Sequence, residues 1–199
     1  MHTLEQLKSG KLNGIKRLKL SCGLTEIPEE VFELWESIEI LDLTGNNLSD
    51  LPKNFGILKN LRIAFFSNNK FSHFPEVLSE CINLDIVGFK ANKISRLPEK
   101  SLPANIRWLI LTDNKIPELP ASIGNCRNLQ KVMLAGNKLE ALPASMAECK
   151  KLELLRISAN HFGQIPQWLL KLPRLSWLAF AGNPCSDPHD VPDDLDLVD

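Results

Sequence analysis

Apolar residues recur along this chain with a long period laid over a short one. Between Ile38 and Asn60, numbered from Ile38 as position 1, they occupy positions 1, 4 and 6 (Ile38, Leu41, Leu43), then 11 and 14 (Leu48, Leu51), then 18 and 21 (Phe55, Leu58). An Asn stands at position 9 (Asn46) and a Pro at position 15 (Pro52), and at Leu61 the pattern restarts. The position-9 Asn returns at Asn69, Asn92, Asn114, Asn137, Asn160 and Asn183, in steps of 23, 23, 22, 23, 23 and 23 residues. The position-15 Pro recurs at Pro52, Pro75, Pro98, Pro120, Pro143 and Pro166, and at Pro28 in a first repeat that lacks the Asn and is one residue short in the turn, always after Leu, Ile or Phe. Two independent ladders thus define repeats starting at Ile15, Ile38, Leu61, Leu84, Ile106, Leu129, Leu152 and Leu175, seven full and an eighth that stops at its Asn. Such self-similarity decides the fold before any local propensity is weighed.

Each position predicts an element. The LxxLxL segment alternates with period two, which reads as a short strand with one buried face. Stacked repeat on repeat, these strands make a parallel sheet advancing about 4.8 Å per step. The Asn residues point inward, where their amides can satisfy backbone groups of their own turn and of the neighbouring one. The Pro carries the chain onto the outer side, because it fixes φ and gives no donor. Positions 18 and 21 then pack a helical turn against the inner leucines. The expected architecture is an α/β solenoid, a leucine-rich-repeat horseshoe. Its parallel sheet is concave, with short helices, 3-10 turns or extended segments on the convex side.

Three departures from regularity carry information. Residues 1–14 read as an N-terminal helical cap: Thr3 and Gln6 have capping-box spacing, and Leu4, Leu7 and Leu12 can cover the first open core. PEEVFELWESI, from Pro28, is the most helical convex segment. The fourth repeat (LPEKSLPANIRWL, Leu97–Leu109) is one residue short and holds a second Pro, Pro103, so an extended passage is expected there. Repeats fill 15–184. Residues 185–199 read as an acidic tail or a linker into a further domain, with Leu195, Leu197 and Val198 set among Asp residues.

Composition narrows the function. The 199 residues carry a net charge of −1, which makes no electrostatic case for nucleic acid or membrane. Six Asp and no Lys or Arg fall in 187–199, leaving the repeats 23 basic against 18 acidic residues. No apolar run is long enough for a membrane span, and MHTLEQLKSGKLNG lacks the apolar region of a secretory signal. Of the five Cys, Cys81, Cys126 and Cys149 occupy position 21 and read as small buried hydrophobes, while Cys22 and Cys185 stand apart. An odd, unpaired set without CxxC argues for a reducing, cytoplasmic setting and against zinc.

No catalytic constellation or metal-ligand spacing is present. His2, His73, His161 and His189 are scattered, and phosphate-loop, dinucleotide and nucleophile-elbow motifs are missing, so no cofactor or small-molecule substrate is expected. The informative surface is the concave sheet face, where positions 3, 5, 7 and 8 project. Ile40, Ile63, Phe65, Ile86, Trp108, Ile110, Met133, Leu154 and Trp177 should form one apolar stripe there, flanked by Lys90, Lys131 and Arg156. Contiguous apolar surface with aromatic, Met and Arg residues is the composition of a protein-binding site. The alternative is that these side chains merely pack along the sheet. A protein partner is expected, in trans or as a C-terminal domain in cis, and the chain itself as a monomer or weak dimer.

The 23-residue LPxx unit resembles cytoplasmic leucine-rich repeats of Ras-suppressor-like and plant intracellular proteins. LSCGLTEIPEEVFEL, VGFKANKI, LPANIRWLILTDNKI, KVMLAGNKL and LSWLAFAGNP are similar to bacterial leucine-rich-repeat proteins that carry a C-terminal protein-kinase-like domain. That resemblance spans Leu4 to about Pro184. It implies a regulatory or targeting fragment of a kinase whose catalytic domain lies beyond residue 199. No kinase Gly-rich loop, strand Lys or catalytic loop occurs here, so no catalytic residue is implied.

Overall fold

The computed structural model describes residues 2–186. A short helix, α1 (Leu4–Lys8), leads into eight three-residue strands. These are β1 (Arg17–Lys19), β2 (Ile40–Asp42), β3 (Ile63–Phe65), β4 (Ile86–Gly88), β5 (Trp108–Ile110), β6 (Lys131–Met133), β7 (Leu154–Arg156) and β8 (Trp177–Ala179). They form one parallel sheet in the order β1 to β8, with no crossover. Every strand is positions 3 to 5 of its repeat, and the pairing is in register throughout, Ile40 on Ile63, Ile63 on Ile86 and so on. A register of this kind follows from a repeat of constant length. The one short repeat loses its residue on the convex side, so the sheet does not slip.

Positions 1, 4, 6 and 11 are the buried core, from Ile38, Leu41, Leu43 and Leu48 in the second repeat to Leu152, Leu155, Ile157 and Phe162 in the seventh. Five phenylalanines fill the middle of it: Phe66 stacks on Phe89 at 4.9 Å, Phe71 and Phe74 meet Phe89 edge-on or tilted, and Phe55 meets Phe66. The convex side is made of single 3-10 turns, Glu29–Leu34 the longest, then Lys53–Ile57, Glu76–Glu80, Ala121–Asn125, Ala144–Glu148 and Gln167–Lys171. Each begins after the position-15 Pro, which is extended with φ between −59° and −69°. Each turn is only five or six residues long before the chain extends again toward the next strand, and 3-10 geometry suits such short runs. The convex segment of the first repeat is thus the longest turn, but 3-10 rather than α-helical.

The fourth repeat has no helix between β4 and β5, only turns, as its second Pro predicts. Ser101 takes position 18 there, fully buried, and its Oγ donates to the Pro98 carbonyl at 2.7 Å. Cys81, Cys126 and Cys149 line the same layer, with thiols against the carbonyls of Phe55, Pro103 and Ile123. Burial pushes Cys81 and Cys149 up to about 12 and Cys126 to about 11, so these thiols stay protonated and unreactive.

At the N-terminal end, Thr3 and Gln6 form the reciprocal capping box, and Leu7 and Leu12 are buried over the first repeat. The chain before α1 also closes the sheet edge: the His2 amide donates to the Lys19 carbonyl, and the Lys19 amide donates to His2 Nδ1 at 3.2 Å. At the other end Cys185 and Ser186 still belong to the last turn, with the Cys185 amide on the Phe162 carbonyl. The acidic run from 187 to 199 lies outside the described residues.

The inward asparagines all make the same bonds. In each repeat from the second to the eighth, Nδ2 donates to two position-6 carbonyls, its own and the preceding repeat's; for Asn137 these are Leu134 and Leu111, both at 2.9 Å. The Oδ1 accepts the position-11 amide of the preceding repeat, Ile116 for Asn137. What lets the Asn turn inward is the residue before it. Position 8 is left-handed in seven consecutive repeats, at Gly45, Asn68, Ala91, Asp113, Gly136, Ala159 and Gly182, with φ between 51° and 75°. A left-handed residue breaks the strand alternation, which would otherwise put position 9 on the face opposite positions 4 and 6, and so position 9 turns into the core.

Two stability outcomes follow. Asn114→Ala removes acceptor and donors from Ile94, Phe89 and Leu111 and should cost roughly 1–3 kcal/mol in urea unfolding. A loss under about 0.3 kcal/mol would refute the ladder. Ala159→Gly, at an exposed left-handed Ala, should raise stability by about 0.5–1 kcal/mol, because the relieved Cβ clash exceeds the added chain entropy. A loss of stability there would show that the left-handed turn costs nothing.

Candidate interaction face

Side chains at positions 3 and 5 leave the sheet on its concave side, in two rows that run across all eight strands. The first row reads Arg17, Ile40, Ile63, Ile86, Trp108, Lys131, Leu154 and Trp177; the second reads Lys19, Asp42, Phe65, Gly88, Ile110, Met133, Arg156 and Ala179. With strands about 4.8 Å apart, neighbours within a row touch. Ile40, Ile63, Phe65, Ile86, Trp108, Ile110, Met133 and Leu154 are accordingly half-buried rather than fully exposed, and only Trp177, on the last strand, is 58% exposed. Packing along the sheet is therefore part of their role.

Gly88 makes one such contact possible. It interrupts the second row, and Phe65 lies over the gap; a Cβ at position 88 would sit 2.9 Å from the Phe65 ring. In the first row the Lys131 ammonium stands 4.1 Å from the Trp108 ring centroid, a cation–π contact between adjacent strands. Polar partners mark the N-terminal end of the face. Lys19 pairs with the buried Asp42 at 3.0 Å. Burial alone would raise the Asp42 carboxyl, but the bonds from Thr44 and Lys19 outweigh it and hold it below the ordinary range. Lys90 lies 3.9 Å from Asp113 at the sheet's C-terminal rim.

Exposure alone does not single this face out. Trp35, Ile57, Ile82 and Leu170 are large apolar residues exposed elsewhere, on or beside the convex turns. The concave residues differ in being contiguous, in register and on a regular surface. A parallel sheet with one face left open is itself unusual, since such sheets are commonly covered on both sides.

A second arrangement lies at position 2, between the positions that shape the core. Lys16 pairs with Glu39 at 2.7 Å, and Asp85 accepts from both Arg62 and Arg107 at 3.0 Å. The charges alternate from repeat to repeat, a signal that reading position 2 down the chain would have found. Burial raises Asp85, yet the two guanidinium bonds hold its carboxyl below the ordinary range; the Lys16 bond does the same for Glu39. These residues floor a polar groove of about 890 Å³ along the strands' N-terminal ends, with Asn60, Asn83 and Asn105 bonding to carbonyls of the preceding repeat. Its charges are satisfied by one another, which makes it a repeat-to-repeat clamp.

Among the described residues no group of three His, Cys, Asp or Glu side chains could hold a metal ion, and no helix is long and apolar enough to cross a membrane. The three described histidines stay apart; His73 lies 3.5 Å from Asp50 at a turn.

Family models described as leucine rich repeat match residues 127–184 and 37–58. The fold is a leucine-rich-repeat solenoid. Solved structures agree: a leucine-rich-repeat protein of Leptospira interrogans has a TM-score of 0.67 at 26% identity, over 89% of this chain and 51% of its own. The plant peptide hormone receptor RGFR1, solved in complex with RGF2, gives 0.74 at 26% identity, over 91% of this chain and 30% of its own. A TDR receptor gives 0.73 at 29% identity, over 89% and 32%. This solenoid thus spans about half or less of the chains it resembles. No curated protein matches it in sequence.

Proposed function

We propose that this solenoid is a non-catalytic protein-interaction module whose concave face takes a protein partner. One observation carries the reading: eight apolar side chains, Ile40 to Leu154, lie contiguous and in register on the open face of a parallel sheet. Apolar surface of this extent usually marks an interaction site. The plant receptor RGFR1, solved in complex with RGF2, supports the class, since a similar solenoid occurs there with a bound partner. Trp108, Phe65, Met133 and the exposed Trp177 are the anchors, with Lys90 and Arg156 at the rim. The rigid backbone beneath them means that little order must be acquired on binding.

A reducing, cytoplasmic setting fits the same reading, because all five cysteines are free and three of them are packed as core. The kinase-associated setting rests on the resemblance of the repeat motifs alone.

The test is a selection of random dodecapeptides displayed on phage against the whole chain. The pair Phe65→Asp and Trp108→Asp, on half-buried rather than core side chains, should weaken the selected peptides at least tenfold while the unfolding midpoint moves little. Peptides that bind the double variant unchanged, or no enrichment over a blank support, would overturn the reading.

A further inference from the structure

The cations on the concave face are unevenly matched. Five of them project there, Arg17, Lys19, Lys90, Lys131 and Arg156, against two carboxylates, Asp42 and Asp113. Both carboxylates stand near other cations: Asp42 is bonded to Lys19, and Asp113 is 3.9 Å from Lys90. Toward the C-terminal end, Lys131 and Arg156 have no carboxylate within 4.0 Å among the described residues. Lys131 meets only the ring face of Trp108, which leaves its ammonium protons open to an acceptor, and Arg156 is exposed.

Their placement is specific. Lys131 pairs in register with Leu154, and Met133 with Arg156, so the two cations stand diagonally on adjacent strands with Met133 and Leu154 on the other diagonal. Diagonal positions lie about 7–8 Å apart at the backbone, close enough for two long side chains to converge on one anion. Apolar surface continues on both sides, through Trp108 and Ile110 to one flank and Trp177 to the other. A phosphate backbone would need a row of cations instead, and here apolar residues separate them.

Resting on the concave-face reading, we propose that repeats five to eight bind an extended acidic peptide segment. An Asp or Glu carboxylate of that segment is held between Lys131 and Arg156, and its apolar neighbours lie on Ile110, Met133 and Leu154. Guanidinium and ammonium donors aimed at one carboxylate make charge-assisted bonds, and the surrounding apolar floor lowers the competing solvation. Complementary charges across an interface chiefly set partner choice and approach rate, so the preference should show in which sequences bind.

The peptide selection reads this directly. Dodecapeptides enriched on the unmodified chain should carry an Asp or Glu next to apolar residues, and their affinity should fall as salt rises from 0.05 to 0.5 M. Lys131→Glu with Arg156→Glu should weaken them at least tenfold and enrich basic peptides instead, whereas Arg156→Lys should retain most of the binding. Because Arg156 is exposed, Arg156→Gln alone gives a second reading, a several-fold loss without refolding. Peptides lacking an acidic excess but still lost on Phe65→Asp with Trp108→Asp would overturn this proposal and leave the concave face as the binding surface. Peptides indifferent to all these substitutions would overturn both. Equal binding of a dodecathymidylate would show that the cations read phosphate, and would also overturn it.

Discussion

Everything in this molecule depends on the inward asparagine at position 9. A solenoid of 23-residue turns brings carbonyls of position 6 and amides of position 11 into the core, where water cannot reach them, and each unpaired group would cost roughly 1–3 kcal/mol. One side chain with an acceptor and two donors answers them, and it does so across the repeat boundary. Asn160, for example, ties Leu134 and Leu139 of one repeat to Ile157 of the next. The same bonds that satisfy the core therefore fix the stacking, so the sheet register, the open concave face and the rows upon it all follow. A repeat protein stands by neighbour terms of this kind, because no repeat touches more than the ones beside it.

Much of this was legible in the chain, because the ladder residues are chemically irreplaceable. Asn46 to Asn183 and Pro28 to Pro166 announce the period, and Pro103 with the missing residue announces the irregular fourth repeat. The left-handed turn at position 8 was harder to see. Gly45, Gly136 and Gly182 advertise it, but Ala91 and Ala159 adopt the same conformation under the compulsion of their neighbours. The convex side reads from the sequence as short helices, 3-10 turns or extended segments; which of these each repeat adopts depends on how its turn packs on its neighbours, and all six with a helical turn are 3-10. The charge clamp of Lys16, Glu39, Arg62, Asp85 and Arg107 went unseen because its residues lie between the positions that shape the core.

The apolar rows of the concave face were legible in their members and not in their degree of burial. Periodicity places Ile63, Ile86 and Trp108 side by side, but whether they cover one another depends on side-chain size across strands. Phe65 can fold over Gly88 only because that repeat lacks a side chain at the matching position. Lys131 over Trp108 likewise joins residues 23 apart in sequence that the register makes neighbours. Half-burial means these side chains pack on one another along the rows while part of each stays open on the concave side.

The claim that the concave face is the one that binds has a direct test in hydroxyl-radical footprinting of the chain, alone and with a selected peptide. Trp108, Met133 and Phe65 should lose reactivity on binding, while the exposed convex Trp35 and Leu170 keep theirs. Protection at Trp35 or Leu170 with the concave residues unchanged would put the partner on the opposite side, and the account of this surface would fail.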